Sequence, residues 1–90
     1  MHKAVFERSM DVAGDACVHY ISANSGKQKY VVCTLDLDNK YIQAKLARAN
    51  TLNVPDGFCL AFCWDTDSFK SIDPSKVVKI IPLNALINET

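Results

Sequence analysis

Phe58-Cys-Leu-Ala-Phe-Cys-Trp64 decides the fold class. Read with a period of two, it sets Phe58, Leu60, Phe62 and Trp64 on one face and Cys59, Ala61 and Cys63 on the other. Neither face is polar, so the run reads as a central strand covered on both sides. The small residues of the second face ask for a close neighbour, and a helix expected just upstream is the candidate. Asp65-Thr-Asp-Ser68 then turns the chain, and Phe69-Lys-Ser-Ile72 returns as a shorter strand.

Upstream, Ala16–Ile21 and Gln28–Leu35 are rich in strand formers, and Ser22-Ala-Asn-Ser-Gly26 between them is a set of turn residues. This spacing predicts a β-hairpin. With Asn24-Ser25-Gly26 as the loop and Gly26 at positive φ, partner numbers sum to 50 and Cys17 faces Cys33. Asp38 or Asn39 then caps a helix over Tyr41–Ala49, whose Ile42, Leu46 and Ala49 form one stripe. Lys40–Ala44 also scans as a short strand, but Ala and Leu outnumber β-branched residues there, which favours helix. Lys3–Asp15 is ambiguous. Ala4-Val5-Phe6 could start a strand, while Phe6, Met10 and Ala13 sit at helical spacing, and Gly14-Asp15 ends either element.

Downstream, Asn53-Val-Pro-Asp-Gly57 is a turn, and Asp73-Pro-Ser-Lys76 reads as one helical turn with Asp at the cap and Pro at the first position. Val77–Ile81 is a last strand closed by Pro82, Leu83–Ile87 a short tail helix, and residues 88–90 a frayed end. The order predicts a mainly β (α+β) single domain over residues 1–90. Its architecture is a small SH3-like or Sm-like barrel of about five strands, with one helix between two hairpins. The expected core is Val18, Tyr20, Val32, Leu60, Phe62, Ile72, Val78 and Ile80.

Composition removes several functions. Ninety residues with 49% hydrophobic and 22% charged side chains make a globular chain, not a disordered one. Ten Lys+Arg cancel ten Asp+Glu, so the basic excess needed to hold duplex DNA by its backbone is missing. No apolar run approaches the ~20 residues that span a bilayer, and nothing after Met1 resembles a secretion signal. A cytoplasmic protein without a membrane role is expected. Cys17, Cys33, Cys59 and Cys63 contain no C-x-x-C, so they read as buried free thiols, with no metal and no cofactor implied.

Catalytic motifs are missing too: there is no G-x-G-x-x-G, phosphate-binding loop, G-x-S-x-G or H-E-x-x-H. Cys17-x-His19 places thiol and imidazole on one side of a strand, but a nucleophile also needs a lowered thiol pKa and an oriented ring. Asp36-x-Asp38 and Asp65-x-Asp67 read as turn chemistry rather than cation ligands. Trp64 and Phe69 could stack a base. Lys40, Lys45 and Arg48 on the helix, with Lys70 and Lys76, could bind phosphate or a partner.

Within residues 64–83, Phe69, Lys70, Ile72, Asp73, Lys76 and Val77 can be laid on a pattern that resembles small-barrel domains of the WYL type. The Trp-Tyr-Leu signature and an accompanying helix-turn-helix domain are absent. The resemblance implies a barrel that senses nucleic-acid or nucleotide-like ligands through basic residues, a role Lys70 and Lys76 would inherit.

The resulting expectation is a non-catalytic interaction module of an accessory or mobile-element type. It would dock on a protein partner or on a second copy as a homodimer. The alternative is a nucleotide or single-stranded nucleic-acid binder.

Overall fold

A computed structural model describes residues 1–49 and 52–88. The ambiguous N-terminal stretch is a helix, α1 (Lys3–Ala13). His2 caps it by accepting the Ala4 N–H on Nδ1 at 3.2 Å, and Phe6 and Met10 are its buried residues. The helical spacing of Phe6, Met10 and Ala13 thus outweighs the short strand-like run. Gly14 stops the helix at φ 75°, donating its N–H to Met10.

The hairpin follows as β1 (Asp15–Ile21) and β2 (Gln28–Thr34). Its partners sum to 49 rather than 50, so Ala16 faces Cys33 and Cys17 faces Val32. The expected Cys17–Cys33 pairing is therefore overturned. Gly26 does take positive φ, but the Ser22 N–H donates to Lys27 and the Gly26 N–H to Ser22, closing a loop one residue longer than expected. One extra loop residue shifts the whole register.

Next come α2 (Lys40–Arg48), β3 (Cys59–Cys63), β4 (Ser68–Ile72), a 3-10 turn (Pro74–Lys76), β5 (Val77–Pro82) and α3 (Leu83–Asn88). Asn39 is the α2 cap, accepting from the Tyr41 and Ile42 N–H groups, and Asp73 caps the 3-10 turn through Ser75. The frayed end expected over 88–90 is a helical residue at Asn88, and 89–90 lie outside the described residues.

The strands form one antiparallel sheet in the order β4-β3-β2-β1-β5. In a flat sheet its two edge strands would lie about 19 Å apart. Yet only residues 73–76, wound as a 3-10 turn, join the end of β4 to the start of β5, a reach of roughly 10 Å. The sheet must curl. It does not close: among the described residues no ladder joins β4 to β5. The five strands of the expected barrel are thus present as an open antiparallel sheet with helices.

The inner face of the curl carries Ala16, Val18, Val31, Cys33, Cys59, Ala61, Cys63 and Ile72, packed with Phe6 and Met10 of α1. The small residues of β3 therefore face this core. The expectation that the second helix would cover them is corrected: α2 lies on the opposite, aromatic face, where Ile42 and Phe62 are fully buried. Of the expected core, Val18, Phe62 and Ile72 are buried, while Tyr20, Val32, Leu60 and Ile80 are half-buried. Val78 is exposed. A bulge lets the β1–β5 register jump from His19–Lys79 to Tyr20–Val77, which turns Val77 inward and Val78 out.

Candidate functional site

The two hairpins are held together by little. β2 and β3 pair only at Cys33–Cys63 and Thr34–Phe62. The Trp64 N–H donates to the Val32 carbonyl at 2.7 Å, after which the strands part. This leaves a seam between edge strand β4 and the tip of the β1–β2 hairpin, on the side where the curl stays open.

Two hollows of about 270 and 340 Å³ occupy the seam, and both are lined by Tyr20, Lys29 and Lys70. Cross-strand pairing explains why these residues meet. Tyr20 faces Lys29 across the hairpin, and Lys70 faces the core residue Ala61, so Lys70 stands on the inner side of its strand. Being at the sheet edge, Lys70 reaches over the gap and sets its Nζ 5.2 Å from the centre of the Tyr20 ring. The smaller hollow adds Lys76, Ser22, Asn24, Phe58 and Asp73. The larger one adds Tyr30, Phe69, Asp65, Thr66 and Ser68. Asp73 is occupied by the Ser75 N–H and hydroxyl at 3.0 and 2.7 Å. Lys29, Lys70 and Lys76 have no ion-pair partner among the described residues.

Of the residues singled out from sequence, the seam gathers Phe69, Lys70 and Lys76. Lys29, which sequence reasoning missed, completes the set; it stands opposite Tyr20 only in the observed register, since the expected one put Tyr30 there. The remaining residues sit elsewhere. Trp64 is stacked on Tyr41 at 6.5 Å, meets Phe62 edge-on at 5.0 Å, and donates its indole N–H to Asp15 at 2.8 Å. It fastens α2 to the sheet. Lys45 is held by Asp67 at 2.5 Å, and Tyr41 donates its hydroxyl to the same carboxylate at 2.6 Å. The hydrogen bond from Lys45 holds the Asp67 carboxyl below its usual range, and the bonds to Asp67 raise Lys45 and Tyr41. Lys40 and Arg48 are exposed on α2, which lines neither hollow.

The Cys17 sulfur does meet the His19 Nε2, at 3.6 Å, and Gln28 approaches the other ring nitrogen at 3.5 Å. The chemistry opposes a nucleophile, however. Burial, then Asp65, raises the Cys17 thiol, when a nucleophile needs it lowered. A donor from Gln28 on Nδ1 also places the ring proton on Nε2, the atom that would have to accept one from sulfur.

A wider hollow of about 790 Å³ between α1 and the loop after β2 is acidic, with Glu7, Asp11, Asp36 and Asp38 beside Arg8. Asp36 there accepts the Asp38 N–H at 3.1 Å, the turn role expected for that pair. Such a lining repels phosphate. The molecule, neutral overall, thus separates an acidic hollow from a lysine-lined seam.

No protein-family model, curated protein or solved structure matches the chain. The WYL-type resemblance is carried by its quoted residues alone. Among the described residues, no helix is long and apolar enough to cross a membrane.

Proposed function

We propose that the protein is a non-catalytic binding module whose seam holds the phosphate of a nucleotide or of single-stranded nucleic acid. One observation carries this reading: Lys29, Lys70 and Lys76 line one hollow together with Tyr20 and Phe58, and the exposed Tyr30 lines the next. Unpaired ammonium groups attract phosphate, and rings at the same cleft offer stacking to a base. The total charge of zero does not oppose this, because a small ligand responds to the local field. The test is titration of nucleotides and short single strands while Trp64 fluorescence is followed at low and high salt. Salt-sensitive binding that weakens in Lys70→Gln and Lys76→Gln supports the proposal. Binding that ignores both salt and those lysines rejects it.

A second reading, docking on a protein partner or a second copy, is favoured by a different surface. On α1, Val5 and Val12 are 50% and 85% exposed. Val12 borders an apolar hollow of about 480 Å³ with Met1, Ile80 and Pro82. Exposed apolar stripes of this kind often mark interfaces. Light scattering at several concentrations, with Val12→Asp as the comparison, tests the homodimer. A monomer at every concentration removes it.

A further inference from the structure

We propose that the seam selects guanine: its ligand is a guanine nucleotide, free or within a single strand, with Asp65 reading the base. The inference rests on the phosphate-binding reading above and adds a base specificity to it.

The two hollows differ in chemistry along the seam. The smaller, with Lys76 beside the shared Lys29 and Lys70, is the cationic end. The larger is lined by the exposed Tyr30, by Phe69, whose ring turns to the other face of the sheet against Phe62, and by the Asp65 carboxylate. That polarity matches a nucleotide laid lengthwise, phosphate at the lysines and base at the exposed Tyr30.

The carboxylate sets the choice of base. Neighbouring Asp15 and Asp67 are engaged, the first by the Trp64 indole, the second by Tyr41 and Lys45. Asp65 is exposed and, among the described residues, has no ion-pair partner. An ionised carboxylate only accepts, and its two oxygens suit two parallel N–H donors. On the pairing edge of guanine, N1–H and the N2 amino group present that pair. Adenine, cytosine and uracil each offer a single donor there, next to an acceptor that a carboxylate repels. Asp65 therefore favours guanine, while the lysines hold any nucleotide's phosphate.

The experiment titrates the full chain with the 5′-monophosphates of guanosine, adenosine, cytidine and uridine, and with guanosine itself. Trp64, adjacent in sequence to Asp65, supplies the fluorescence signal. The guanine nucleotide is expected to bind about tenfold or more tighter than the other three, the discrimination typical of a two-bond base contact. Asp65→Asn and Asp65→Ala should erase that preference and leave the base-independent, salt-sensitive binding in place. Both substitutions fall on an exposed residue, and circular dichroism checks that each variant folds.

Equal binding of all four monophosphates overturns the guanine assignment and leaves the phosphate-binding seam standing. Absence of salt-sensitive binding by any of them overturns both. A guanine preference that survives both Asp65 variants also rejects the assignment. A short uridine strand carrying one guanine, compared with the mononucleotide, separates the sources. Tighter, Asp65-dependent binding of the strand identifies single-stranded nucleic acid, and tighter binding of the mononucleotide identifies the free ligand.

Discussion

α1 and α2 cover opposite faces of one sheet by different physical means. α1 inserts Phe6 and Met10, both essentially inaccessible to solvent, among small side chains that let it come close. α2 buries Ile42 and otherwise leans on an aromatic cluster, Tyr41, Phe62, Trp64 and Phe69, whose outer members stay partly wet. Its remaining ties are polar, from Tyr41 and Lys45 to Asp67, while Trp64, on which Tyr41 stacks, is held in turn by Asp15 of β1. The inner face is held by close packing and the outer one by aromatic edges and exposed hydrogen bonds. The first kind of contact is insensitive to salt and pH, and the second is not.

The contrast can be broken most directly at its two buried rings. Phe6→Ala and Phe62→Ala should each cost roughly 3–5 kcal/mol in urea unfolding, with Phe6→Ala the more severe. If Phe62→Ala costs more, the aromatic face is the better packed of the two. Ile42→Ala should cost about 2–3 kcal/mol, the low end for such truncations, because α2 can settle against the aromatic cluster. A larger loss, with the helical signal of α2 abolished, would make Ile42 the anchor of that face.

Thiol reactivity sharpens the comparison further. All four cysteines are free and buried, and burial, reinforced by Cys63, pushes the Cys33 thiol up to about 12. Burial also raises Cys59 and Cys63. In the native protein at mildly alkaline pH, Cys33 and Cys63 should alkylate more slowly than Cys17 and Cys59, and all four should react quickly in urea. Fast native labelling of Cys33 would mean that the short β2–β3 ladder opens readily.

The smallest effect is expected from the polar tie of α2. Asp67 is held below its ordinary value, so its contribution is present above the usual carboxylate range and disappears as pH falls through the lowered value. Lys45 is raised, so its share is complete below its ordinary value and is lost as pH rises through the raised one. Wild type and Asp67→Asn should therefore differ slightly in melting temperature near neutral pH and converge in acid. A difference that persists in acid would assign Asp67 a role other than this pairing.

Much of the fold was legible because it depends on local periodicity. The two-sided apolar run at 58–64 identified the central strand, Asn39 and Asp73 announced their caps, and the turn residues divided the hairpins. Three features were not legible for the same reason. The hairpin register hangs on one loop residue, the exposure of Val78 on a bulge against β1, and the face chosen by α2 on how the sheet curls. The candidate site divides likewise. Lys70 and Lys76 were visible as cations near the last strands, but Lys29 lies some forty residues upstream in sequence. Trp64 looked available for stacking until Tyr41 and Asp15 were seen to hold it.

By itself, then, the sequence determined which segments after residue 15 are strands and helices, left residues 3–13 open between the two, and showed that no cationic excess dominates the surface. These follow from side-chain spacing, capping and composition, all short-range properties of the chain. Only the tertiary structure decided which side chains share a hollow. The short 3-10 connection pulls β4 towards β5 and curls the sheet, which carries Lys70 over Tyr20 and beside Lys29. That meeting depends on a path through space between strands far apart in sequence, and local pattern carries no record of it.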